Sequence, residues 1–114
     1  MITHLKDNEV FVFGSNEAGR HGKGAAKQAL KWGAVYGHGE GHYGQTYAIP
    51  TKDRNIQTLP LKDIEHYIDR FTIYAIAHPE YRFLMTKIGT GLAGYSWEEI
   101  EPLCRNLPDN VIVV

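Results

Sequence analysis

Residues 9 to 26 read EVFVFGSNEAGRHGKGAA, and their order decides the fold. Val10, Phe11, Val12 and Phe13 form an unbroken apolar run, the pattern of a strand buried on both faces. Gly14-Ser15-Asn16 ends the run. Gly19, Gly22 and Gly24 follow, and then come Ala25, Ala26, Lys27, Gln28, Ala29 and Leu30, which suit a helix. A buried strand therefore feeds a glycine-rich loop that opens a helix. Glycines let a ligand approach the backbone, and the free N–H groups and dipole of a helix start favour an anion, most often a phosphate. A plain turn needs only one or two glycines. The loop is not a Walker A motif: Gly14 and Gly19 have the spacing, but Arg20-His21 follow where Lys-Ser/Thr is required.

Outward from this stretch, strands and helices alternate. The spacing predicts a first helix over 23–33, ending near Gly33. Residues 34–45, AVYGHGEGHYGQ, read as a glycine-rich loop, mobile enough to act as a flap. A second strand spans 46–49 and stops at Pro50. The longest helix covers 61–78, with Leu61, Ile64, Ile68, Phe71 and Ala75 on one face and His78-Pro79 at its end. A third strand covers 82–88. Ser96 and Glu99 form a capping box opening a helix over about 97–106, which Pro102 should bend or divide. Residues 110–114 make the last strand, and Met1–Leu5 read as a short edge strand. The order β-α-β-α-β-α-β predicts an α/β fold with a largely parallel central sheet and helices on both faces.

Composition sets limits. At 114 residues the chain reads as a single domain, 1–114. The net charge of −1 argues against a general nucleic-acid binder but leaves room for a local basic rim from Arg20, Lys23, Lys52 and Arg54. No apolar run reaches the length of a membrane span, and MITHLKDNE carries no signal-peptide core. The single cysteine, Cys104, excludes an internal disulfide, and a cytoplasmic location is the default. His38 and His42 have helical zinc spacing, but the glycines around them oppose a helix and no third ligand is evident, so no metal is expected. No cofactor is expected either.

In a parallel sheet, ligands bind at the carboxyl ends of the strands. The loops after 10–13, 46–49 and 82–88 share that edge, so the glycines around Asn16, the segment Thr51-Lys52 and Gly89-Thr90-Gly91-Leu92-Ala93-Gly94 converge on one rim. The last of these matches GxGxxG. A dinucleotide-binding domain would place that motif at its first strand, and here only 20 residues remain after Gly94. Two glycine loops that each open a helix could instead clamp the two phosphates of a diphosphate.

The chain resembles the macrodomains, which bind ADP-ribose. Gly14-Ser15-Asn16 with Gly22-Lys23-Gly24-Ala25-Ala26, and Ile88-Gly89-Thr90-Gly91-Leu92-Ala93-Gly94-Tyr95-Ser96-Trp97, look like the two ligand-holding segments of that family. Pro50-Thr51-Lys52 and Trp97-Glu98-Glu99-Ile100-Glu101-Pro102-Leu103 look most like the branch containing the terminal ADP-ribose protein glycohydrolase and the antitoxins that remove ADP-ribose from DNA. The resemblance implies a three-layer α/β/α macrodomain-like sandwich. It also implies an ADP-ribosyl glycohydrolase acting on an ADP-ribosylated protein or DNA. Lys52 would be the catalytic lysine, and Asn16, the second catalytic candidate, would contact the distal ribose. Gly14, Ser15, His21, Gly22, Lys23, Gly24, Ala25, Thr51, Gly89, Thr90, Gly91, Leu92, Ala93, Gly94 and Tyr95 would complete the ligand site. In the glycohydrolase an aspartate assists the lysine, and Ala93 stands at the matching position. Two alternatives follow: a non-catalytic module binding ADP-ribose or an NAD-derived nucleotide, and a phosphatase acting on ADP-ribose 1″-phosphate. Asp53 and His21 are the nearest candidates for a substitute acid or base.

Overall fold

The computed structural model describes residues 2–114. Strand β1 (Glu9–Asn16) leads into helix α1 (Gly24–Ala29), which tightens into a 3-10 turn at Leu30–Trp32. A short strand β2 (Gly41–Tyr43) and strand β3 (Thr46–Lys52) precede the long helix α2 (Leu61–Ala77). Strand β4 (Arg82–Met85), helix α3 (Trp97–Ile100), a 3-10 turn at Glu101–Cys104 and strand β5 (Val111–Val113) complete the chain. The five strands form one sheet in the order β2-β3-β1-β4-β5. Only β2 runs antiparallel to its neighbour. This is a mixed α/β fold with a mostly parallel sheet, as the alternation of elements required.

The apolar run at 10–13 is continuous because both of its faces are covered. Val10 and Val12 join Ile49, Met85 and the buried face of α2 (Ile64, Ile68, Phe71, Ala75) in one cluster. Phe11 and Phe13 join Ala48 and the α1 residues Ala26 and Ala29 in another. Alternate side chains of a strand point to opposite faces, so β1 is the shared wall of both clusters. Ser96 accepts from the Glu99 N–H while Glu99 reaches back to Ser96, so the capping box starts α3 as expected. Pro102 then divides the expected 97–106 helix into α3 and the following 3-10 turn.

Four boundaries differ from the sequence reading. β3 does not stop at Pro50 but continues to Lys52. Phe11 N–H donates to Gln45 O across the β1–β3 seam, so by alternation Pro50 turns its missing N–H to the other side. There β2, which pairs only with 46–48, has already ended. β4 ends at Met85 rather than at 88. Ile2–Leu5 form no strand; Ile2 and Leu5 pack under the α1 cluster, and Gln28 Nε2 donates to Ile2 O at 2.7 Å. The Met1 end of that expected strand lies outside the described residues.

The fourth difference concerns 34–45, which is neither structureless nor a free flap. It contributes β2 to the sheet edge, and its first half is pinned to the 15–21 segment. Ser15 Oγ donates to Gly39 O, and Gly37 N–H donates to Gly19 O at 2.8 Å. The backbones are so close that a Cβ on Gly39 would lie 2.0 Å from Asn16 O. Among the described residues no helix is long and apolar enough to cross a membrane.

Candidate functional site

β1, β3 and β4 run parallel, so their carboxyl ends meet at one edge of the sheet. A cavity of about 700 Å³ opens there. The ends of β1 and β3 supply Gly14, Ser15, Asn16, Thr51 and Lys52. The loop into α1 supplies Gly22, Lys23, Gly24 and Ala25, and the loop after β4 supplies Gly89, Thr90, Gly91, Leu92 and Ala93. The structure therefore brings together 14 of the 17 candidate residues named from sequence.

The other three are elsewhere. His21 is almost fully buried, edge-on to the rings of Phe13 and Tyr36, with Nε2 3.1 Å from His38 O. A carbonyl only accepts, so Nε2 carries the proton and Nδ1 is left without a partner. His21 is a strut between the 15–21 segment and the 34–39 loop, not part of the cavity wall. Gly94 sits in the turn, its N–H donating to Gly91 O at 3.0 Å. Tyr95 packs towards the α2 cluster and donates its hydroxyl to Leu59 O at 2.7 Å.

Asn16 is committed locally. Its Nδ2 donates to Arg20 O and its Oδ1 accepts from Arg20 N–H, each at 2.9 Å. The carboxamide thereby shapes the loop that places Arg20 in the wall, leaving one of its N–H bonds over.

The wall contains residues the sequence reading did not count as site residues. Thr86, Lys87 and Ile88 line it. They follow β4 on the same edge that the strand-end rule singled out. Extending the strand to 88 concealed Thr86 and Lys87, whereas Ile88 already headed the 88–97 segment likened to a ligand-holding loop. Tyr36 comes in from the pinned 34–39 loop, and Ile56 from the turn after β3.

Electrostatics set this cavity apart from the whole chain. Arg20, Lys23, Lys52 and Lys87 line it, and no Asp or Glu does. Among the described residues, the ion pairs are Arg70–Glu40, His78–Glu80 and Arg82–Glu9, so none of the four cations is neutralised by a carboxylate. The two acids nearest in sequence are held away. Glu17 accepts a hydrogen bond from the Tyr67 hydroxyl on α2. Asp53 Oδ1 accepts from the N–H groups of Asn55 at 2.8 Å and Gln57 at 3.0 Å. Asp53 is thus tied to its own turn and His21 is buried, and neither of these two candidate substitutes lines the wall.

The glycines divide into two kinds. Gly39 and Gly19 are required by backbone packing, since a Cβ on Gly19 would lie 2.3 Å from His38 N. Gly22 and Gly91 are required by nothing in the chain. Neither has positive φ, and a Cβ on either would meet no atom within 4 Å. Among the described residues, the N–H groups of Thr90, Gly91, Leu92 and Ala93 have no acceptor, and no side chain caps α1. α1 spans only 6 residues, so the cations and these open N–H groups outweigh its dipole in drawing an anion.

Ile56 has φ of +62°. For a β-branched residue this is strained backbone, costing on the order of 1–3 kcal/mol. The turn that imposes it is well tied: Ile56 N–H donates to Asp53 O at 3.1 Å, Asp53 N–H to Gln57 O at 2.7 Å, and Thr58 Oγ1 to Ala93 O at 2.8 Å.

Two solved structures from Bacteroides thetaiotaomicron share this fold. One, described as a protein of unknown function, is 18% identical, with a TM-score of 0.59 over 97% of this chain and 89% of that one. The other, a structural-genomics target, is 21% identical, with a TM-score of 0.59 over 98% of this chain and 92% of that one. At these identities the likeness concerns the fold alone. No family model matches the chain, and no curated protein matches it.

Proposed function

We propose that the cavity binds ADP-ribose or a closely related nucleotide diphosphate, in a macrodomain-like three-layer arrangement. The carrying observation is a wall with four cations and no carboxylate. Two glycine loops, 22–25 and 89–93, flank it, and their Gly22 and Gly91 answer to no demand of the fold. Such a wall suits a ligand with two adjacent phosphates and disfavours a cationic one. The layering is supported by apolar clusters on both faces of the sheet.

A second reading adds hydrolysis of ADP-ribose from a protein or DNA. It is favoured by Lys52, which ends β3 in the cavity wall without an ion-pair partner. The absence of a carboxylate from the wall removes the usual general acid or base, so Lys52 would have to act without one. Phosphatase action on ADP-ribose 1″-phosphate has no separate support in the geometry.

Isothermal titration with ADP-ribose, AMP, NAD and pyrophosphate tests the binding reading. Selective ADP-ribose binding at micromolar affinity or better is expected, and no binding of any of the four sinks it. Turnover of ADP-ribosylated protein and DNA by the wild type, abolished in a folded Lys52→Ala variant, is the outcome the second reading requires. Binding without turnover leaves a pure binding module.

A further inference from the structure

We infer that Ile56 is held in its strained conformation to pack against an uncharged ring of the bound nucleotide, with Leu92 completing the contact. The inference rests on the nucleotide reading above and deepens it. Three large apolar side chains on the cavity wall face solvent: Ile56 at 36% exposure, Tyr36 at 62% and Leu92 at 70%. Neither water nor a phosphate gains anything from apolar surface exposed on this wall. It suits the part of the ligand that carries no charge. Ile56 is the most informative of the three because its backbone conformation favours glycine or asparagine. An isoleucine there burdens the fold, and its side chain does not repay that burden in the core, being absent from both apolar clusters. The Thr58–Ala93 hydrogen bond fastens its turn to the loop that carries Leu92. The same turn begins just after Lys52, so the ring lies on the Lys52 side of the diphosphate. A base and a sugar both offer such a ring, and the ligand series below separates them.

The test is isothermal titration of wild type, Ile56→Gly and Ile56→Val with pyrophosphate, ADP and ADP-ribose. Ile56→Gly suits the left-handed backbone, so its melting temperature should be unchanged or higher. Its affinity for ADP-ribose should fall about tenfold, the worth of one buried aliphatic side chain, while its affinity for pyrophosphate stays at the wild-type value. Ile56→Val should stay within about fourfold of wild type for every ligand, one methylene being a small loss. If ADP weakens as much as ADP-ribose in Ile56→Gly, the ring is the base. If ADP is unaffected, the ring is the distal sugar. An unchanged ADP-ribose affinity, an equal loss for pyrophosphate, or a lowered melting temperature in Ile56→Gly overturns the inference while leaving nucleotide binding intact. A wild type that binds none of the three ligands overturns the nucleotide reading, and the inference with it.

Discussion

Gly91→Ala separates a loop shaped for the fold from a loop shaped for a ligand. Gly91 has ordinary φ, and a Cβ placed on it meets no atom within 4 Å. Replacing such a glycine by alanine narrows the unfolded ensemble and stabilises the native state by about 0.4–1 kcal/mol. For 114 residues, about 2.1 cal/mol/K per residue gives an unfolding entropy of roughly 240 cal/mol/K. The melting temperature should therefore rise by about 2–4 °C. If a phosphate sits against the 89–93 backbone, the added methyl pushes it off at least one N–H donor. A charge-assisted hydrogen bond is worth about 1.5–3 kcal/mol, so affinity should fall by about 10- to 150-fold. Scanning calorimetry without ligand and isothermal titration with pyrophosphate and ADP-ribose read the two effects separately. A more stable variant with unchanged affinity would refute the close approach. A less stable variant would mean that the fold itself requires this glycine, and the reasoning from open space would fail.

Asn16→Ala leaves the Arg20 N–H and C=O without their 2.9 Å partners. Urea unfolding should show a loss of about 1–3 kcal/mol, and an unaltered midpoint would mean that the loop holds its shape by other means. Lys87→Met removes one of the four wall cations and no ion pair. The variant should melt with the wild type but bind pyrophosphate more weakly, and the deficit should shrink towards 1 M salt, where the Debye length is about 3 Å. Alkaline stability should decline in stages. Burial pushes the Cys104 thiol from 9.0 up to about 11, and burial with the Glu40 charge pushes the Tyr47 hydroxyl from 10.0 up to about 12. Both groups keep their protons longer in the native state than in the unfolded one. Stability is thus full below pH 9 and is lost across pH 9–11 for Cys104 and pH 10–12 for Tyr47. Cys104→Ala should flatten the first window, and a thermal-melt series against pH checks it.

The sheet edge was legible because parallel topology follows from alternating elements, and strand ends then fall on one side whatever their exact lengths. The run 10–13 and the stripe on α2 needed only local periodicity. The parts that escaped depend on contacts distant in sequence. Pro50 looks like a stop until the sheet order shows that its missing N–H faces no neighbour. His21 looks like a loop residue near phosphates, yet Phe13, Tyr36 and His38 together bury it. Nothing local in the 34–45 loop distinguishes Gly37 and Gly39, which lock it down, from glycines that would loosen it. The positive φ of Ile56 runs against every propensity, so no sequence pattern announces it.

The charge of the cavity was legible only in part: 12 basic and 13 acidic side chains nearly cancel over the whole chain, and of the basic rim expected from Arg20, Lys23, Lys52 and Arg54 the first three line the wall, while Lys87 falls within the strand expected over 82–88. The wall is cationic because Glu17 and Asp53 are turned away by specific bonds. Asp53 is held by its own turn, but Glu17 depends on one distant hydroxyl, that of Tyr67 on α2. That bond also helps to push the Tyr67 hydroxyl up to about 12, after burial. Tyr67→Phe should therefore release the Glu17 carboxylate, one residue from Asn16 and three from Arg20, to compete with the ligand for the wall cations. Exposed ion pairs are worth about 0.2–1 kcal/mol, which predicts a loss of about 1.4- to 5-fold in pyrophosphate affinity. Glu17→Gln in the Tyr67→Phe background should restore the affinity, because the released group no longer carries charge. If the single variant binds as well as wild type, or the double variant stays weak, the acid-free wall does not depend on Tyr67. The cation excess would then be a property of side-chain placement alone.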